Sequence, residues 1–227
     1  MILCYYWQLL YKLFYLRRKK RKKILLKGIS VIIGFFILSS YTINADTLSE
    51  ENIPSVYNVY NQQGFYNNYN KLRPGVRNKK FYISSDVSAY WQTLFNDSFY
   101  LWYLTDTPIN FDRTYNFYES TIDCYTRAFV DTNTYGEASF WTIQPGDDYR
   151  HNGYNDSWDY GEVLINNVVL QNTTYETDSK IIMHEIGHVF GLYHVKNPYD
   201  LMYEKEEGHM TYRPSANDIS RVNKLHK

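Results

Sequence analysis

The chain has 227 residues, 44% of them hydrophobic, and its 24 basic side chains balance 24 acidic ones. That is length enough for one domain with a real core, while two cysteines, Cys4 and Cys124, exclude a disulfide-stapled scaffold. The neutral total hides an asymmetry: nine of the 24 Lys and Arg fall in residues 1–45, which contain no Asp or Glu.

Those 45 residues read as an address. The basic run Arg17 to Lys23 precedes the apolar stretch Gly28 to Ile43, the layout of a signal segment with cleavage after Ala45. A retained anchor is the alternative, because residues 24–43 supply the ~20 residues needed to span a bilayer. A secreted protein is expected on the first reading, and a membrane contact only through this segment on the second. Without the leader, 15 basic residues face 24 acidic ones, a net charge of −9 that speaks against nucleic acid as a partner. Cys4 leaves with the leader, and Cys124 sits in a strand-like run that suits buried filler better than a nucleophile.

From Asp46 to about Lys80 the sequence is rich in Asn, Gln and Tyr and poor in aliphatics, which predicts a flexible or weakly ordered segment. It is either a pro-segment that blocks a site downstream or a linker, leaving residues 81–227 as the main domain. Ser85 and Asp86 are candidate caps for a helix through Val87, Trp91, Leu94 and Phe95, with a break near Asn96 to Ser98. Strands are predicted at Thr114 to Tyr118, Tyr125 to Val130, Ala138 to Ile143 and Glu162 to Leu170. The intervening loop 146–159 gathers Asp147, Asp148, Asp156 and Asp159, a composition suited either to calcium or to plain solvation. His151 in that loop is a weaker candidate for a structural zinc.

The chemistry concentrates in His184 to His194, HEIGHVFGLYH. Four residues apart on a helix, His184 and His188 share a face and can aim two imidazoles at one ion. Zinc wants a third protein ligand and an open position for water. Gly191 can end the helix and turn the chain so that His194 arrives from another side. Glu185 lies roughly 100° around the helix from His184, placed to flank the metal as a general base rather than to bind it. The five positions would coincide in a shuffled chain with a probability on the order of 10⁻⁵, so a zinc site is favoured over chance. Thr177 or Asp178 is the expected helix cap, and Ile182, Ile186 and Val189 form an apolar stripe for core packing. His209 is the one nearby candidate for a fourth protein donor, which would make the site structural. Ser215 and Asp218 are spaced as a capping box for a last helix with Ile219, Val222 and Leu225 on its apolar side.

The stretch resembles the extended zinc signature of the metzincin metallopeptidases, and Leu201-Met202-Tyr203 resembles that family's Met-turn. Its spacing from His194 is most similar to matrixins. The resemblance implies an α/β (α+β) fold: a twisted mixed sheet plus helices above the cleft, and a small C-terminal subdomain with the Met-turn and a terminal helix. It implies that His184, His188 and His194 hold zinc, that Glu185 is catalytic, and that Met202 lies beneath the metal without binding it. It also implies an endopeptidase that takes a protein or peptide substrate as an added strand, with residues 162–166 as the sheet edge. A monomer is expected. Three features depart from the matrixin pattern. Val195 stands where Ser is common, Glu204 to Glu206 replace a usual wall of the specificity pocket, and the preceding segment has no cysteine to occupy the metal.

Overall fold

The structure, a computed structural model, describes residues 60–61, 64–129, 133–145, 148–151 and 155–227. The leader and the anchor alternative at residues 24–43 lie outside the described residues, as do Asp147 and the side chains of Asp148 and His151. Among the described residues no helix is long and apolar enough to cross a membrane.

A short hairpin opens the described chain, β1 (Tyr60–Asn61) with β2 (Phe65–Tyr66). The main sheet has six strands: β3 (Lys79–Ile83), β4 (Phe111–Thr114), β5 (Ile122–Arg127), β6 (Gly136–Gln144), β7 (Asp148–His151) and β8 (Tyr160–Asn166). Their spatial order is β4-β3-β5-β8-β6-β7. β3, β4, β5 and β8 run parallel, whereas β6 is antiparallel to β8 and to β7. Parallel neighbours need crossovers, and helix α1 (Ala89–Tyr103) supplies the one from β3 to β4. Helix α2 (Tyr175–Phe190) follows β8, and α3 (Ala216–His226) closes the chain. The mixed sheet and helices match the fold expected.

Alternation decides which strand face is dry. Phe81 and Ile83, Ile122 and Cys124, Ala138 and Phe140, and Val163 and Ile165 are all buried, and α2 packs against β6 and β8 with Ile182, Ile186 and Val189 fully enclosed. Stacking of Phe81 on Phe99 at 4.0 Å and the edge-on contact of Trp102 with Phe190 at 5.6 Å carry the core through to α1. Buried Cys124 is filler, and burial pushes its thiol well above the usual range.

Local readings differ from the structure in instructive places. α1 runs unbroken past Asn96 to Ser98, because Ser98 is buried against Ser179 and the Asn96 amide donates back to the Gln92 carbonyl at 2.7 Å. Its N-cap is Ser88, not Ser85 or Asp86. α2 is capped by Thr174, whose hydroxyl accepts from the Thr177 amide, not by Thr177 or Asp178. The stretch 114–118 splits into the end of β4 and a 3-10 turn at Phe117–Glu119. Strand β7 lies inside the segment expected as loop. Residues 162–166 are not an edge: β8 is interior, and β6 is its antiparallel neighbour. Within the segment expected to be weakly ordered, Phe65, Tyr66, Leu72 and Val76 are buried in the core. The capping box of Ser215 and Asp218 forms as expected.

Helix α2 lies close on β8 because position 161 is glycine. A Cβ there would stand 2.4 Å from Val189 Cγ1 and 2.9 Å from Cγ2, and a β-branched side chain held in a helix has little freedom to yield. Gly161→Ala is therefore expected to destabilise the protein by about 1–3 kcal/mol, read as a lower urea midpoint with unchanged slope.

Candidate metal centre

The site is built at the C-terminal end of α2, where the chain must stop being helical within three residues of His188. Gly191 does this at φ 112°, with the Gly191 amide bonded to the His188 carbonyl and the Leu192 amide to the Gly187 carbonyl, both at 3.0 Å. The last two carbonyls are met from elsewhere. Trp158 Nε1 donates to the Val189 carbonyl at 2.9 Å, and His226 Nε2 donates to the Phe190 carbonyl at 2.7 Å. All four terminal acceptors of the helix are thus satisfied and the turn is fixed.

That turn brings His194 back to the helix. Its Nε2 lies 3.1 Å from Nε2 of His184 and 3.1 Å from Nε2 of His188. The far nitrogens settle the tautomers. His184 Nδ1 sits 2.8 Å from the Leu201 carbonyl and His188 Nδ1 2.9 Å from the Leu192 carbonyl. A carbonyl only accepts, so each Nδ1 carries the proton and each of these two Nε2 atoms presents a lone pair inward. Two lone pairs aimed into one space suit a cation lying between them. Two nitrogens at ~2.05 Å from a tetrahedral zinc stand about 3.3 Å apart, close to the spacing seen. The donor set therefore fits zinc, and among the described residues it is the group of His, Cys, Asp or Glu side chains that converges in this way.

Burial pushes the His184 imidazole down to about 3, with His194 adding to the shift, and pushes His188 well below its usual range. His194 is lowered as well, again mainly by burial, with Glu204 opposing. Neutral imidazoles are the form a metal needs.

Glu185 is 8% exposed and faces a cleft of about 240 Å³ lined by Tyr66, Gly136, Glu137, Ala138, Glu185, His188, Tyr193 and His194. Burial, then the Glu137 charge, raises its carboxyl to about 8 in the absence of metal. A dication beside it would favour the carboxylate.

Met202 is fully buried, and the glycine at 187 makes room for it: a Cβ there would meet Met202 Sδ at 2.6 Å. The Val195 amide bonds to the Met202 carbonyl and the Glu204 amide to the Val195 carbonyl, tying the Met202 turn to the segment just after the third histidine. Asp218 of α3 accepts from the Leu201 amide at 2.7 Å, so the residue whose carbonyl holds His184 is bonded through both its amide and its carbonyl.

His209 does not join the group. Its Nε2 donates to the Asp200 carbonyl at 3.0 Å. Asp159 of the acidic loop is held by Arg73 at 2.5 and 2.7 Å and by the Ile143 amide at 2.8 Å. Sequence reading missed Tyr66, Glu137 and Tyr193 as cleft residues, since nothing in their spacing links them to the motif. Gly187 carried a signal: a glycine inside a helix costs about 1 kcal/mol and so marks a close approach.

The family model described as Matrixin matches residues 88–227. The chain therefore belongs to the matrixin family, and it is a zinc metalloendopeptidase. Among solved structures it is similar to high choriolytic enzyme 1, a hatching enzyme zinc-protease from the medaka fish Oryzias latipes. That likeness has a TM-score of 0.41 and 15% identity over 68% of this chain and 92% of that one. A search among curated proteins gave no match.

The depressed histidines fix the sign of a pH dependence. Below about pH 6.5 the unfolded chain binds protons that folded His184, His188, His194, His209 and His226 refuse, so folded stability falls as acid is added. The raised carboxyls of Glu185 and Asp218 work the other way but are outnumbered. Metal-free protein is expected to melt at a lower temperature at pH 5 than at pH 7, measured by calorimetry in chelator.

Proposed function

We propose that this chain is a secreted, monomeric zinc endopeptidase in which His184, His188 and His194 hold the metal and Glu185 moves the proton. Met202 supports the site from beneath and Gly191 turns the chain that delivers the third ligand. The observation that carries the reading is the convergence of His194 Nε2, 3.1 Å from the Nε2 atoms of both His184 and His188, beside a carboxyl that is not among them.

When bound, zinc supplies Lewis acidity, which acidifies a water and polarises a carbonyl. The chain's own residues do the rest. Glu185, as carboxylate, takes the proton from the attacking water and hands it to the departing amine. The cleft walls of Tyr66, Ala138 and Tyr193 exclude bulk solvent around that transfer.

The substrate backbone lies along β6. That strand pairs with β7 from Trp141 to Gln144, and among the described residues no strand pairs with its second edge from Glu137 to Ser139, next to the cleft. An extended peptide can add there as a further strand. Residues 1–45 serve as the export leader, and residues 46–63 are the portion left for a pro-segment.

Glu185→Ala is expected to retain zinc at one ion per chain by metal analysis while cleavage of a casein-like unstructured protein falls about 10²–10⁴-fold. Unchanged turnover would refute the assigned base. Protein recovered from culture medium should begin at Asp46 or later by N-terminal sequencing, whereas a start before Ile24 would mean that the leader is kept as an anchor.

A further inference from the structure

Residues Gly64 to Leu72 cross the outside of the turn that carries the third histidine. The Tyr193 amide donates to the Gly64 carbonyl at 2.8 Å, and Phe65 forms an antiparallel bridge with Leu192. A Cβ placed on Gly191 would meet the Asn70 carbonyl and Lys71 Cβ, each at 2.9 Å, so the segment lies flush against the helix stop. The Tyr66 hydroxyl thereby ends 3.2 Å from His188 Nδ1. Tyr66 is 2% exposed, its ring edge-on to Tyr193, Trp158 and Phe140 at 5.0, 5.4 and 5.6 Å.

We propose that Tyr66 is a positioning residue for the metal ligand His188, and that segment 64–72 is a permanent part of the metal site, not a removable one. His188 Nδ1–H is shared between the Leu192 carbonyl and the Tyr66 hydroxyl oxygen. A second acceptor narrows the swing of the imidazole plane and raises the basicity of the opposite nitrogen, which is how outer partners tune a histidine ligand. Packing on three aromatic rings keeps the phenol from drifting, so its oxygen acts as a fixed stop. A processing cut that leaves the site whole must therefore fall before Gly64. This inference rests on the zinc assignment above.

The test uses the full chain. Tyr66→Phe keeps the ring and removes the oxygen. Its zinc Kd, measured by competition with a chelator, is expected to weaken about tenfold. The visible absorption bands of the cobalt(II)-loaded variant should shift, while the melting temperature of the metal-free form stays within error. An unchanged Kd with an unshifted cobalt spectrum overturns the assignment. A measurement on the unaltered protein guards against a variant that does not fold. If the segment orders the ligand, binding of zinc must reciprocally order the segment, so amide exchange across residues 64–72 slows when zinc is added. Exchange indifferent to zinc overturns the proposal as well. Failure of the endopeptidase reading would look different: the Tyr66 effect on zinc intact, and no peptide cleaved.

Discussion

Everything in the site depends on α2 ending where it does. Two ligands four residues apart come free with helical geometry, but the third requires the chain to reverse within six residues. That reversal is stable only if the helix's last carbonyls find partners. Here they come from the turn itself, from Trp158 just before β8, and from His226 in the last turn of α3. The residues leading into β8 and the last turn of α3 thus meet at one helix end, and the metal centre inherits its rigidity from that meeting.

The same economy shows in the polar groups. Each helical histidine spends its outer nitrogen on a backbone carbonyl, and those carbonyls belong to segments that are themselves held: Leu192 by the helix stop, Leu201 by Asp218. Asp218 also caps α3, and with Asp200 it engages Arg221, so one buried acidic cluster links the terminal helix to the Met202 turn. In the buried interior such hydrogen bonds are electrostatically stronger than in water, which favours a single arrangement of the three rings.

The site was legible in the sequence to a far greater degree than the architecture around it. His184, Glu185, His188, Gly191 and His194 could be read together because their relationship is local, set by helical pitch and one left-handed residue. The Ser215–Asp218 box was readable for the same reason, whereas Met202 was readable only through the resemblance to the Met-turn. What failed was whatever long-range pairing decides. The helix through Asn96 to Ser98 carries polar residues that suggest an end, yet packing against Ser179 of α2 overrides local propensity. The order of β6 and β8 in the sheet is set by long-range pairing that neither strand's own sequence encodes. Tyr66 was hidden in an Asn- and Tyr-rich stretch whose composition mimics disorder, because its burial depends on an aromatic cluster assembled from Phe140 and Trp158 far along the chain.

With substrate added to β6 as proposed, that half-covered strand has a consequence for which chains it admits. Its run from Glu137 to Ser139, which among the described residues no second strand pairs, offers only a few backbone donors and acceptors, beside the side chain of Glu137. So short a run lacks the length of the bare strands that invite edge-to-edge stacking. A visitor must bring several consecutive residues whose own hydrogen bonds are unspent. Helices and interior strands do not meet that condition; frayed ends, loops and unfolded segments do. The shape of one strand thus sorts encounters by backbone conformation before any side chain is compared.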